Sequence, residues 1–257
     1  MIFDTHCHLN APELYPDIEL HIEEASKVGV KSFLVVGYDK ASSFLAVEIA
    51  HKYPNCYAAI GFHPTEINEL KEEDYDAVFE LAKDPKVKAI GEIGLDYHWV
   101  KDPILREIQK EYFIRQIIDA NRLGLPITIH NRESNEDCLN ILKEYPPVKG
   151  GIMHCYSGSK EMMNEFLKAG MYISLGGPVT FKNAKTPKEV AEECPLDRLL
   201  VETDAPYLAP HPLRGTTNVP KNIALVVDEI STLRDLSRKH IEDATYKNAC
   251  RLLNINE

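Results

Sequence analysis

The chain is predicted to fold as a (β/α)8 TIM barrel forming a single domain over residues 1–257, and three observations predict it. Short β-rich runs alternate with helical patterns from end to end, and eight such units fit the length. Nearly every β-rich run also ends on a histidine or an acid. The first two features describe a parallel sheet covered by helices. The third favours a closed barrel over an open doubly wound sheet, because the polar groups of a barrel gather at the C-terminal ends of its strands.

The strands are read at residues 1–5, 31–37, 56–61, 87–91, 126–130, 151–154, 171–175 and 198–203. Phe33-Leu34-Val35-Val36 and Leu199-Leu200-Val201 are continuous apolar runs, as expected of strands buried on both faces. Between the fourth and fifth strands, Leu105, Ile108, Tyr112, Phe113, Ile117 and Ala120 form an apolar stripe beside Arg106, Lys110 and Glu111. Gly124 then supplies a C-terminal cap, and Pro126 opens the next strand. Near the C-terminus one helix is expected from 219 to about 234 and another from about 237 to 253. No linker, repeat or low-complexity tract divides the chain.

Composition narrows the function. With 44% hydrophobic and 27% charged residues there is enough apolar material for a large core. Forty acidic against 29 basic residues give a formal charge of -11, which argues against a broad basic footprint for long duplex nucleic acid but leaves binding at a strand end open. No apolar run approaches the roughly 18 residues of a membrane span, and the start of the chain lacks the basic and apolar pattern of a secretory signal. The six cysteines are dispersed without a C-x-x-C pair, as reduced buried thiols would be. A cytoplasmic monomer without a membrane partner is therefore expected.

The chemistry sits at the strand ends. His6 and His8 close the first strand two residues apart, so both imidazoles face one point, while Cys7 between them turns toward the helices. Glu92 follows an apolar run and lies between two glycines, where an ionised carboxylate is costly unless it meets a cation. His130 and His154 end the fifth and sixth strands. Glu202 and Asp204 share a face by the two-residue rule at the end of the eighth, with Asp204 the better placed for the barrel mouth. His6, His8, Glu92, His130, His154 and Asp204 exceed what one ion needs, so the set suggests two divalent ions sharing Glu92. His6, His8 and Asp204 would hold the first ion, and His130 and His154 the second.

These segments resemble the TatD family of magnesium-dependent deoxyribonucleases. The resemblance rests on D-T-H-C-H-L at 4–9, G-x-H-P at 61–64, G-E-I-G-L-D-Y at 91–97, the strand-end His130, H-C-Y-S-G at 154–158 and E-T-D-A-P-Y-L at 202–208, in order along the whole chain. It implies metal roles at the six positions. Where members of that family often carry His-Arg-Gly after the last strand, this chain has Pro212-Leu213-Arg214-Gly215, with a histidine displaced to His211.

The expected activity is that of a metal-dependent phosphodiester hydrolase, a 3′–5′ exodeoxyribonuclease on single-stranded DNA, using Mg2+ with Zn2+ or Mn2+ as alternatives. Glu92 and Asp204 would be catalytic, Asp204 by orienting water or taking its proton. His63 would contact the phosphate or a leaving group, or be simply a turn histidine before Pro64. Arg132 and Arg214 are candidate phosphate clamps, with surface arginines as the competing account. Tyr97, His98 and Trp99 would stack on bases or pack on the rim. The rival chemistry keeps the ions and changes the bond, to an amide or ester as in a D-aminoacyl-tRNA deacylase.

Overall fold

Eight strands pair in chain order into one parallel sheet in the computed structural model, which describes residues 1–256. They are β1 (Ile2–Cys7), β2 (Val30–Val36), β3 (Cys56–Ile60), β4 (Val87–Asp96), β5 (Ile127–Arg132), β6 (Gly151–Met153), β7 (Met171–Leu175) and β8 (Leu199–Val201). A helix follows each: α1 (Ile18–Lys27), α2 (Lys40–Lys52), α3 (Glu72–Glu80), α4 (Pro103–Leu123), α5 (Asn135–Glu144), α6 (Lys160–Lys168), α7 (Lys185–Glu193) and α8 (Ile223–Leu233), with α9 (Arg238–Leu253) added at the end. The first and last strands meet through side chains and the residues beyond β8. Thr5 Oγ1 donates to the Val201 carbonyl (2.9 Å), Thr203 N to the Asp4 carboxylate (2.9 Å) and Asp204 N to the His6 carbonyl (2.9 Å). The result is the expected (β/α)8 barrel.

The apolar runs alternate as two buried faces require. In β2, Phe33 and Val35 join the layer between sheet and helices, whereas Leu34 and Val36 join an inner cluster with Phe3, Ala59, Ile152 and Leu200. Tyr246, Ala249, Leu252 and Leu253 of α9 belong to the same inner cluster, so the last helix stops the N-terminal end of the barrel. Cys7 lies in the outer layer. Gly124 caps α4 in the left-handed conformation at φ 68°. The penultimate helix begins at Ile223 rather than 219, because Pro220–Asn222 forms a separate 3-10 turn.

Strand lengths depart most from expectation where the site lies. β4 continues five residues past Gly91 and β5 two past His130, whereas β8 ends at Val201. In β4 and β5 the polar residues Glu92, Asp96 and His130 stay in the ladder because the barrel interior supplies partners for them. The β4–β5 register shifts between Ile90 and Ile93. Gly94 (φ 138°) permits close approach there, since a side chain on it would run into the His130 carbonyl oxygen. No helix among the described residues is long and apolar enough to cross a membrane.

Candidate metal centre

Above the apolar floor, the barrel interior turns polar. Thr5 Oγ1 lies 3.2 Å from Ser174 Oγ, and Thr128 Oγ1 lies 3.5 Å from His6 Nδ1. On this layer stand the six side chains picked from the strand ends. The two histidines of β1 and its extension bring their Nε2 atoms to 3.3 Å. Glu92 Oε2 is 3.5 Å from His6 Nε2 and 3.8 Å from His8 Nε2, and Asp204 Oδ1 is 4.0 and 3.5 Å from the same atoms. Four ligands at about 2.0–2.2 Å from a tetrahedral ion are about 3.3–3.6 Å apart. These separations are therefore close to those needed for a divalent cation.

The other carboxylate oxygen faces a different group. Glu92 Oε1 is 3.0 Å from His130 Nδ1, 3.5 Å from His154 Nε2 and 3.8 Å from His63 Nε2. One buried carboxylate thus presents Oε2 to one pair of imidazoles and Oε1 to another.

The outer nitrogens decide which way each ring offers its lone pair. His8 Nδ1 is 3.0 Å from the Val36 carbonyl, an acceptor, so it donates there and leaves Nε2 free. His154 Nδ1 meets Glu202 Oε1 at 2.9 Å, again freeing Nε2. His130 is reversed: its Nε2 meets Asp96 Oδ2 at 2.8 Å, so Nδ1 faces Glu92. Asp96 lies beyond the expected end of β4 at Gly91 and is not among the residues that the sequence marks. Its signal was the even spacing Glu92, Gly94, Asp96 along one strand. The pairing of Glu202 with Asp204 on one face fails because β8 ends at Val201 and Asp204 adopts φ 56°, so strand parity does not extend through them. Glu202 contacts His154 directly, whereas Asp204 approaches His8 and His6.

Electrostatics follow from crowding. Burial opposes charge on both Glu92 and Asp204, yet the surrounding imidazoles outweigh it and hold both carboxyls below their ordinary range. Burial likewise opposes charge on His154, but Glu202 and Asp204 overcome it and push the ring up to about 10. A charged His154 thus balances part of the carboxylate charge. The buried nitrogen and oxygen donors suit a divalent cation in the same role.

His63 differs. Burial and then the neighbouring His130 bring its pKa down to about 3. Its Nδ1 lies 2.7 Å from Thr65 Oγ1 and 3.2 Å from the Thr65 backbone N, and its Nε2 lies 3.8 Å from Glu92 Oε1. A neutral ring here joins Glu92 and His130 in a group whose donor atoms lie close enough to hold an ion.

The cluster opens into a cavity of about 690 Å3 whose wall includes Tyr38, Trp99, Arg132, Cys155 and Tyr207. Arg132 lies 5.6 Å over the Trp99 ring. Of the three aromatic residues after β4, Tyr97 packs on the rim through Asp137 and Arg106, His98 pairs with Glu133, and Trp99 faces the cavity. Arg214 is not among the cavity-lining residues; its guanidinium lies 4.1 Å over Phe181. His211 is exposed, and its backbone N–H donates to Thr180 Oγ1. Tyr38 and Tyr207, whose rings lie 5.7 and 5.9 Å from that of His8, were not picked from sequence because nothing in their spacing marks them.

Comparison with known proteins adds to this geometry. A family model described as TatD related DNase matches residues 3–254. The metal-dependent hydrolase YabD of Bacillus subtilis is 49% identical over 257 residues, covering 100% of both chains. YcfH of Escherichia coli, also named a metal-dependent hydrolase, is 34% identical over 99% of this chain and 96% of its own. Among solved structures, the TatD homologue YJJV of Escherichia coli superposes with a TM-score of 0.94 at 30% identity, over 99% of this chain and 98% of that one. An organophosphorus hydrolase from Deinococcus radiodurans shares the fold alone, with a TM-score of 0.62 at 15% identity over 98% and 92% of the two chains.

Proposed function

Because the chain belongs to the TatD-related DNase family of metal-dependent hydrolases, we propose that it hydrolyses phosphodiester bonds in single-stranded DNA, working from the 3′ end with two divalent ions bridged by Glu92. The observation that carries this reading is Glu92 itself, whose two oxygens face two separate imidazole pairs. His6, His8 and Asp204 would hold one ion, and His130 and His154 the other. When bound, such ions supply positive charge to a phosphate and acidify water.

The chain's own groups do the rest. Asp204, held in its base form, is placed to orient water and accept its proton. His63, held neutral by burial, contacts a phosphate oxygen or the leaving group. Arg132 at the rim binds a neighbouring phosphate, and Trp99 beneath it offers a face to a base. The phosphate contacts rest on Arg132 and His63, since Arg214 turns to Phe181. The histidine-rich donor set accepts Zn2+ and Mn2+ readily, and Mg2+ serves as the ion of turnover. Six free cysteines, five of them buried, fit a reducing cytoplasmic setting, where we place the chain as a monomer.

The test is a single-stranded oligonucleotide labelled at its 5′ end, incubated with each ion in turn. Stepwise shortening from the 3′ end, abolished by chelator and reduced about 10²–10⁴-fold in a folded Asp204→Ala variant, is expected. Intact DNA under all three ions, together with turnover of an aminoacyl ester, would replace this reading with the acyl hydrolase.

A further inference from the structure

At the end of the barrel opposite the histidines, the strand starts and the end of α9 enclose a second hollow of about 780 Å3, whose wall includes Lys88, Lys149, Tyr172, Arg198 and Arg251. Two other charged residues there are already matched: Lys83 pairs with Glu80, and Asp84 with His51. Lys88, Lys149, Arg198 and Arg251 have no carboxylate partner among the described residues. Acids outnumber bases 40 to 29 in this chain, so carboxylates are not scarce.

The cations are held by neutral groups. Arg251 Nε donates to the Tyr172 hydroxyl (3.0 Å), and one of its terminal nitrogens to the Asp197 carbonyl (2.6 Å) and Asn248 Oδ1 (3.0 Å). Arg198 lies over the same Tyr172 ring at 4.9 Å, and Arg251 at 5.7 Å. Two guanidinium groups against one ring concentrate positive charge at that place. Helix dipoles give only part of the explanation. Arg251 lies in the last turn of α9, where a cation is favoured. Lys88 belongs to β4 and caps no helix, and Arg198 ends only the three-residue 3-10 turn Leu196–Arg198.

We propose that this hollow binds a polyvalent phosphate anion, gripped by the two guanidinium groups and the two ammonium groups. A free oligophosphate and the phosphodiester backbone of a nucleic acid share that chemistry. The site is remote from the metal centre and does not depend on the activity proposed there.

Tripolyphosphate and a hydrolysis-resistant phosphorothioate oligothymidylate, titrated calorimetrically into the full chain as purified and again with chelator, test the proposal. One tripolyphosphate per chain is expected in both conditions at about 50 mM salt, weakening as salt rises. Binding should weaken at least about tenfold in a Lys88→Gln, Lys149→Gln double variant, which removes no stacking contact with Tyr172 and should melt as the wild type does. An Arg198→Gln variant should show the same loss. Tripolyphosphate bound without the oligonucleotide identifies a free oligophosphate, and competition between the two identifies a backbone. No chelator-resistant binding at low salt, or binding undiminished in these variants, overturns the proposal.

Discussion

Asp96 is fully buried, and its carboxylate does two jobs: Oδ2 meets His130 Nε2, and Oδ1 accepts the Trp99 backbone N–H at 2.7 Å. Burial opposes its charge, but the His130 contact outweighs this and brings the carboxyl down to about 2. A partner of this kind fixes the ring and strengthens it as a ligand, so Asp96→Asn should weaken divalent-ion affinity about 10–100-fold with little change in fold. Competition with a fluorescent chelator measures this, and unchanged affinity would remove Asp96 from the site. The histidines give a second prediction. Burial opposes charge on His8, His130 and His154, but their carboxylate neighbours outweigh it and leave all three raised. A raised imidazole holds its proton to higher pH, His154 to about 10, and an incoming cation must expel that proton. Ion affinity should therefore fall as pH falls, by about one log unit per pH unit for each proton released. Titration calorimetry at one pH in two buffers of different ionisation enthalpy counts those protons. Equal heats in both buffers would contradict the linkage.

At the level of elements, α4 shows what the sequence hides. Gln116 is buried and pairs with the Phe62 backbone in both directions, accepting from its N–H (2.9 Å) and donating to its carbonyl (3.2 Å). Gln109, two helical turns earlier on the same face, accepts from Asp96 N and donates to the carbonyls of Pro64 and Asp96. β3 ends at Ile60, so two glutamines stand in for ladder bonds and fix the segment that carries His63. Gln116→Leu should leave both Phe62 groups without those partners and cost about 1–3 kcal/mol in urea unfolding. A loss below about 0.5 kcal/mol would mean that water replaces the amide. The helix itself was legible from its apolar spacing, its Gly124 cap and Pro126. The glutamines were not, because a buried amide inside a helix looks like any polar surface position until its partner is known. The six strand-end residues were legible for the opposite reason: one chemistry recurs at the ends of several apolar runs. Asp96 and the role of Glu202 were obscured where strand lengths departed from the hydrophobic pattern.

At the scale of the whole molecule, the metal centre joins distant parts of the chain. Its proposed ligands come from β1 and its extension, β4, β5, the end of β6 and the turn after β8, so they straddle the seam where the last strand meets the first. Bound ions would cross-link that seam in the native state, whereas the unfolded chain has no such convergence of donors. An ion present at about 100 times its Kd stabilises the native state by about 2.7 kcal/mol. For a domain of this size that corresponds to a rise of about 5–10 °C in Tm. Saturation with a divalent ion should produce such a rise over the chelated protein, and Glu92→Gln, which weakens the bridge to both imidazole pairs, should reduce most of it. The double lysine variant of the barrel floor should retain the full rise, because its cations lie at the other end. If the midpoint of the wild type moves by less than about 1 °C between saturating ion and chelator, the convergence of these six side chains does not hold a cation across the barrel seam.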